Sequence, residues 1–141
     1  MSLQVHYQNK KFRLKHSKSI RNWLGEVIVD LGFRTGEIAF IFTDDNFLRE
    51  INRSFLEHDY NTDVITFDLS GESGKIDGEI YISTETVKQN AVLYKTLFYE
   101  EIKRVMVHGI LHLAGYDDVN KKDRIQMRKM EDYYLEKYSE E

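Results

Sequence analysis

The order of strand-like and helix-like segments limits this chain to a mixed fold. Strands alternate apolar and polar residues, whereas helices repeat apolar residues every three or four positions. Strand-like patterns occur at Leu3, Val5 and Tyr7, and at 36–43 (GEIAFIFT), 64–69 (VITFDL) and 78–83 (GEIYIS). The turn-rich segment GESGK joins the last two. The pattern therefore predicts four strands in a single mixed sheet.

Two helical stripes lie in the first half of the chain. Apolar residues recur at helical spacing at Ile20, Trp23, Leu24, Val27, Ile28 and Leu31. We expect Ser17 to cap this helix and Gly32 to end it. A second helix is expected to begin after caps at Thr43 and Asp44. Its predicted buried side carries Phe47, Leu48, Ile51 and Phe55.

Three more helices are predicted in the second half. A short one begins near Ser83, and a longer one ends at Gly115. The longer helix is indicated by Phe98, Ile102, Val105, Met106, Gly109 and Leu113, and the last helix by Met127, Met130 and Tyr134. The expected fold is α+β, with one mixed four-stranded sheet packed with about five helices in a single domain over residues 1–141.

Composition narrows the class of protein. Hydrophobic residues at 41% are typical of a chain that forms a core. No apolar run approaches membrane-spanning length and the N-terminus lacks a signal-like stretch, so the cytoplasm is the expected compartment. The absence of cysteine excludes thiolate metal sites. The net charge of −4 argues against a general nucleic-acid coat, although residues 1–25 carry six Lys/Arg, either as a solvated face or as a rim that attracts phosphate.

The stretch HGILHLAGYDD predicts a metal site. His108 and His112 are four residues apart, so their rings project from one face of the long helix. Gly115 can end the helix in a left-handed conformation and fold the chain back. Asp118 is then placed to offer a carboxylate oxygen as the third ligand, with the neighbouring Asp117 as the alternative. Three protein ligands and an open fourth position are typical of catalytic zinc.

The donor types bear on both the metal and the reaction. Zinc is the expected ion, one per chain, and a hard oxygen ligand also makes iron, manganese or nickel plausible. Metallopeptidases with an H-E-x-x-H motif use its glutamate as general base, and here that position is Gly109. A metzincin-like peptidase is therefore a weak alternative.

The same stretch resembles the signature H-G-x-L-H-L-x-G-Y-D-H of the YbeY family of bacterial metallo-endoribonucleases. The signature is met at His108, Gly109, Leu111, His112, Leu113, Gly115, Tyr116 and Asp117. Three more segments agree in order and spacing: TDDNFLREIN (43–52), DYNTDVITF (59–67) and GEIYIS (78–83). Glu101 matches an acidic position seven residues before the first histidine. The resemblance spans about residues 40 to 135.

This resemblance implies a hydrolase that cuts single-stranded RNA by metal-assisted phosphodiester hydrolysis. The implied partners are ribosomal RNA and the small ribosomal subunit, and the implied role is ribosomal RNA maturation, including the small-subunit 3′ end, and ribosome quality control. The metal, usually assigned as zinc, is held at the three signature positions. No membrane or DNA partner is expected. The rival interpretation is a zinc-stabilised ribosome assembly factor with little turnover.

The chain departs from the family pattern at three positions. Asp118 replaces the third histidine, Asn61 replaces a proline, and Leu56 replaces an arginine that the resemblance assigns to the RNA phosphate. Arg53 lies one turn before Leu56 and is our candidate to replace that arginine; the alternative is a solvated helix residue. Arg49 and His58 are further cations nearby.

Polar residues near the predicted site allow two interpretations each. Glu101 either hydrogen-bonds a ligand imidazole, which would support catalysis, or pairs with Arg104 and only stabilises the helix. Thr62 and Asp63 either line the cleft or cap a turn. The candidate catalytic residues are therefore Arg53 and Glu101, and the candidate metal ligands are His108, His112 and Asp118.

Overall fold

Four strands and five helices make up the part of the chain that the computed structural model describes, residues 2–56 and 62–139. In chain order they are β1 (Ser2–Tyr7), α1 (Ser17–Asp30), β2 (Arg34–Thr43), α2 (Asp45–Leu56), β3 (Val64–Asp68), β4 (Lys75–Ser83), α3 (Thr84–Tyr94), α4 (Phe98–Leu113) and α5 (Lys121–Leu135). The predicted α+β fold is confirmed. None of these helices combines the length and the apolar character that a membrane span requires.

The strands form one mixed sheet in the order β1-β2-β4-β3. β1 and β4 both run parallel to β2, whereas β3 runs antiparallel to β4. One row across the sheet contains Val5, Phe40, Ile80 and Thr66 in neighbouring strands. The hairpin predicted at GESGK is the β3–β4 connection, with Gly74 at a φ of 80°.

The main hydrophobic core lies between one face of the sheet and helices α1, α4 and α5. Phe40 and Phe42 of β2 and Ile80 and Ile82 of β4 are completely buried there. Burying side chains of this size stabilises the fold by roughly 1.5–3 kcal/mol each. The Trp23 indole N–H donates a hydrogen bond of 2.8 Å to the Tyr134 carbonyl oxygen, which joins α1 to α5.

The opposite face of the sheet carries a smaller apolar cluster. Leu48 and Ile51 of α2 are buried there with Ile65 of β3, as their spacing predicts. The expectation that Phe47 and Phe55 are also buried is wrong, because they are 38% and 71% exposed. Within the described residues the buried part of this cluster consists of three side chains. The rings of Phe47 and Phe55 lie at its edge, where solvent reaches them. Phe47 stacks on Tyr81 and Phe55 meets Phe67 edge to face.

Helix ends differ from the sequence prediction in two places. Ser17 is the first residue of α1 rather than its cap; the cap position is His16, which makes no side-chain capping bond. Asp44 caps α2 as expected, with its carboxylate accepting a 2.8 Å hydrogen bond from the Phe47 N–H. Thr43 does not share that role, because its buried hydroxyl donates to the Ile82 carbonyl oxygen of the neighbouring strand.

Gly78 sets how closely the end of α4 approaches the sheet. A Cβ at this position would lie 2.7 Å from the Phe67 carbonyl oxygen and 2.9 Å from both terminal methyl groups of Leu113. The backbone oxygen belongs to the paired strand β3, so it has little freedom to move. The lack of a side chain at Gly78 therefore allows the last turn of α4 to rest directly on β4.

We predict that Gly78→Ala lowers the free energy of unfolding by about 1–3 kcal/mol, the usual cost of overpacking a closely packed region. Gly71→Ala is the matched control, because a Cβ there meets nothing within 4 Å. Urea denaturation of both variants measures the effect. Equal stabilities of the two variants would contradict the close approach of α4 to β4.

Candidate metal centre

The end of α4 places the polar residues of the site. Gly115 has a φ of 101°, in the left-handed region that favours glycine. Its N–H donates to the His112 carbonyl oxygen, and the Tyr116 N–H donates to the Leu111 carbonyl oxygen, both at 3.0 Å. These two bonds form a Schellman motif, which ends the helix and reverses the chain. The turn predicted at Gly115 is confirmed, and it brings the following residues back beside the helix.

This reversal brings three polar side chains together. The Asp118 Oδ2 atom lies 3.4 Å from His108 Nε2 and 3.6 Å from His112 Nε2. One donor atom from each residue lies within 4.8 Å of the others. Asp117 is not part of this group in the described ranges.

The distances from Asp118 to the two histidines fit a tetrahedral ion. Two donors that each lie about 2.1 Å from a tetrahedral zinc are separated by about 3.4 Å. The distances from Asp118 Oδ2 to the two imidazole nitrogens match that separation closely. Two nitrogen donors and one carboxylate oxygen form a set that zinc accepts at catalytic sites, with a fourth position left for water or substrate.

Glu131 of α5 orients the imidazole of His108 through a hydrogen bond at the Nδ1 atom. The His108 Nδ1–H donates a 2.6 Å hydrogen bond to Glu131 Oε2, while Arg104 donates a 2.9 Å bond to Oε1 of the same carboxylate. Arg104 also donates to Asp132 at 2.7 Å. When the ring is neutral with its proton on Nδ1, Nε2 of His108 faces Asp118 and can bind a metal.

The sequence reasoning missed Glu131. A signal for it exists, because Glu131 follows Met127 by four residues and precedes Tyr134 by three. All three residues are buried, and a carboxylate on the buried side of a helix requires a partner. The partner itself is not visible in the sequence, since α4 and α5 meet only through tertiary packing.

The two imidazoles have different electrostatic surroundings. Burial lowers the pKa of His108, but the hydrogen bond and negative charge of Glu131, together with the charge of Asp118, outweigh it and raise the pKa above its usual value. Burial and the neighbouring His108 lower the pKa of His112, in spite of the nearby Asp118. The two pKa values are thus shifted in opposite directions, so in the metal-free site His108 keeps its proton to a higher pH than His112 does.

Two further carboxyl groups, those of Asp63 and Glu101, line a cleft beside His108 and Asp118. Burial raises the pKa of Asp63, and it also raises the pKa of Glu101 against the opposing charges of Arg104 and Arg128. Glu101 was predicted either to bond a ligand imidazole or to pair with Arg104. The structure shows the contact with Arg104, at 4.0 Å. The imidazole bond that we considered for Glu101 is made by Glu131 instead.

Arg53 lies apart from this group. Its guanidinium forms an ion pair with Glu50 on the same helix, and its side chain is more than half exposed. It is not among the residues that line the cleft at His108. The side chain of Leu56, together with His58 and Asn61, falls outside the described residues. The structure thus does not bring Arg53 to the histidines.

The cleft next to the cluster has a volume of about 350 Å³. Its floor is α4, and its walls come from α3 and α5, with Asp63 at one side. His108 and Asp118 both line it, so a molecule in the cleft lies next to two of the three residues of the cluster. Asp63 was predicted either to line a cleft or to cap a turn, and in the structure it lines the cleft.

The fold and the His–His–Asp cluster define an α+β protein with a candidate mononuclear metal centre. The sequence matches the family described as Endoribonuclease YbeY over residues 4–139. The Endoribonuclease YbeY of Flavobacterium psychrophilum is 48% identical over 124 residues, which are 88% of each chain. That of Cytophaga hutchinsonii is 42% identical and covers 91% of this chain and 90% of its own.

A solved structure has a similar fold. The solution structure of a protein from Thermotoga maritima superposes with a TM-score of 0.70 at 28% identity, covering 97% of this chain and 89% of that one. The chain belongs to the endoribonuclease YbeY family, as its motifs indicated.

We predict that Glu131→Gln lowers the pKa of His108 in the metal-free protein, because the substitution removes the negative charge that favours the protonated ring. Asp132→Asn is the matched control: it also removes a partner of Arg104, but Asp132 has no described contact with His108. NMR titration of the imidazole resonances in the presence of a chelator measures both. Equal shifts in the two variants would show that Glu131 does not set the charge of His108.

Proposed function

We propose that this member of an endoribonuclease family is a metal-dependent nuclease that cuts single-stranded RNA. The supporting observation is that Asp118 places an oxygen at the separation expected in a tetrahedral site from a ring nitrogen of both His108 and His112, beside an open cleft. In this proposal a single domain acts in the cytoplasm on ribosomal RNA of the small subunit, in its maturation and quality control.

The proposed metal ligands are His108, His112 and Asp118, with zinc as the expected ion and iron, manganese or nickel as alternatives. These residues would hold a divalent ion, which would supply Lewis acidity toward a phosphate oxygen and would make a water molecule or the substrate 2′-hydroxyl a better nucleophile. The fit rests on the donor set and its spacing.

The surrounding residues hold this arrangement in place. Glu131 fixes the ring of His108, and Arg104 in turn neutralises Glu131. Such outer partners commonly change metal affinity 10–100-fold. We assign Glu101 a positioning role through Arg104, which it contacts at 4.0 Å. Arg53 remains a candidate contact for RNA phosphate away from the cleft.

A peptidase of the H-E-x-x-H type finds no support at position 109. A side chain at Gly109 would begin 2.8 Å from a methyl group of Ile80 on β4. That direction leads into the core between α4 and the sheet, away from the cleft. A glutamate at this position would therefore not reach the metal ligands without displacing the core.

We predict that His108→Ala and His112→Ala each reduce metal affinity by more than about 100-fold, since loss of an outer partner alone costs about 10–100-fold. RNA cleavage is expected to fall with the loss of bound metal. His6→Ala is the control, because His6 lies on the edge strand β1 and bonds only Gln4 among the contacts described for it. The measurements are elemental analysis of the purified protein and cleavage of a labelled single-stranded RNA. Full metal occupancy in either α4 variant would refute the ligand assignment.

The carboxylate ligand has a separate test. Asp118→Ala is expected to weaken metal binding at least about tenfold more than Asp117→Ala, because only Asp118 places an oxygen near both imidazole nitrogens. Competition with a chromogenic zinc chelator measures both affinities. The reverse order would move the third ligand to Asp117.

A further inference from the structure

The cleft extends beyond the metal cluster between two helices of different character. Asn90 and Tyr94 are four residues apart on α3, so they lie on the same side of that helix and form one wall. Arg124 and Arg128 have the same spacing on α5 and form the other wall. An amide and an aromatic ring thus face two cations across the space that leads to His108.

Three of these four side chains have functional groups without a partner in the described part of the chain. The amide of Asn90, the hydroxyl and ring of Tyr94 and the guanidinium of Arg128 form no described hydrogen bond, ion pair or ring contact there; the charge of Arg128 acts on Glu101 only at longer range. Arg124, in contrast, donates a 2.9 Å hydrogen bond to the Val119 carbonyl oxygen.

The inner cation of the cleft is already neutralised. Arg104 donates to both Glu131 and Asp132, so its charge serves the framework of the site rather than a ligand. Arg128 is exposed, and no carboxylate within residues 2–56 and 62–139 forms an ion pair with it, so its guanidinium donors can bind an incoming anion. A phosphate entering between α3 and α5 meets Arg128 without breaking an existing ion pair.

Tyr94 adds an exposed aromatic face. Its side chain is 54% exposed, although a tyrosine commonly buries much of its ring. A cation for the backbone and an aromatic ring for a base are the combination with which proteins bind single-stranded nucleic acid. The cleft volume of about 350 Å³ lies at the small end of the range for ligand sites, which suits one nucleotide rather than a duplex.

We propose that Arg128 and Tyr94 form a subsite for the nucleotide next to the scissile phosphate. Arg128 binds the phosphate of that nucleotide, Tyr94 stacks on its base, and the Asn90 amide hydrogen-bonds its sugar or base edge. The subsite rests on the proposed function and deepens it, since it names the groups that hold unpaired RNA beside His108 and Asp118. The faces of a base inside a duplex are covered by the neighbouring base pairs, so Tyr94 can stack only on an unpaired base and the subsite selects single strands.

The phosphate contact is tested by RNA binding to the zinc-loaded full chain. Arg128→Gln and Lys129→Gln each remove one positive charge from neighbouring exposed positions of α5, but only Arg128 lines the cleft. Fluorescence anisotropy with a labelled single-stranded RNA is measured at several salt concentrations, with the RNA checked for integrity by gel. We expect Arg128→Gln to weaken binding and to reduce the slope of log affinity against log salt by about 0.7, the contribution of one phosphate contact. Lys129→Gln is expected to retain the wild-type slope.

The base contact is tested at Tyr94 in the same assay. Tyr94→Ala is expected to weaken RNA binding roughly fivefold or more, because one base loses its stacking partner. Tyr94→Phe keeps the ring and is expected to bind within about twofold of the wild type. Leu93→Ala is the control, an exposed apolar neighbour on α3 that does not line the cleft.

Cleavage kinetics separate this subsite from the proposed function. The subsite predicts a raised KM with little change in kcat for Arg128→Gln and Tyr94→Ala, together with unchanged zinc content. If RNA binding by the wild type depends on Arg128 and Tyr94 as expected but the wild type does not cut RNA, the subsite stands and the nuclease proposal fails. If the wild type cuts RNA while Arg128→Gln behaves like Lys129→Gln and Tyr94→Ala like Leu93→Ala, the subsite is wrong. Absence of RNA binding by the wild type would also overturn the subsite.

Discussion

The hydrogen bond from His108 to Glu131 is the interaction on which the arrangement of the site depends. It crosses from α4 to α5 with a length of 2.6 Å and involves a carboxylate that is almost completely buried. Hydrogen bonds to charged groups contribute roughly 1.5–3 kcal/mol, so this bond helps to hold the two helices together. It also places the proton on Nδ1 and leaves Nε2 for a metal. One hydrogen bond therefore both stabilises the packing of α4 against α5 and orients the His108 ring.

The backbone supplies the other half of the geometry. α4 lies flat on the sheet because Gly78 and Gly109 present no side chain where β4 and the helix approach each other. The helix ends in the left-handed turn at Gly115, which returns the chain so that Asp118 meets both imidazoles. The positions of the three candidate ligands are thus fixed by one helix and one tight turn. A site built in this way needs no long loop to bring its third candidate ligand into place.

Local patterns predicted those parts of the structure that depend on local physics. The strand alternation gave the four strands of the sheet, and the four-residue spacing of His108 and His112 placed both rings on one side of α4. The failures have a tertiary cause. Phe55 follows the helical stripe of α2 but is exposed, because the second apolar cluster ends before it. Glu131 belongs to the site only because α5 packs beside α4, which no local pattern of the sequence shows.

Two groups of residues at the cleft offer different chemistry. The cluster near Asp118 has donor atoms that could hold a metal ion, while Arg128 and Tyr94 offer an anion partner and a stacking surface in the same cleft. Together they agree with the proposed nuclease, which binds a flexible strand beside the bond that it cuts. Arg128 also places a positive charge at the cleft. This chain has Leu56 at the position where the resemblance implies an arginine, so Arg128 supplies a cation from a different element.

In the proposed function one metal ion, held by this chain, is required for RNA cleavage. A titration of the metal-free protein with zinc tests this requirement, with bound metal and the rate of single-stranded RNA cleavage followed in the same samples. We expect no cleavage without metal, a rate that rises in proportion to bound zinc, and a plateau at one equivalent per chain. Full cleavage by the metal-free protein, or a rate that does not follow the first equivalent, would show that the metal is not required.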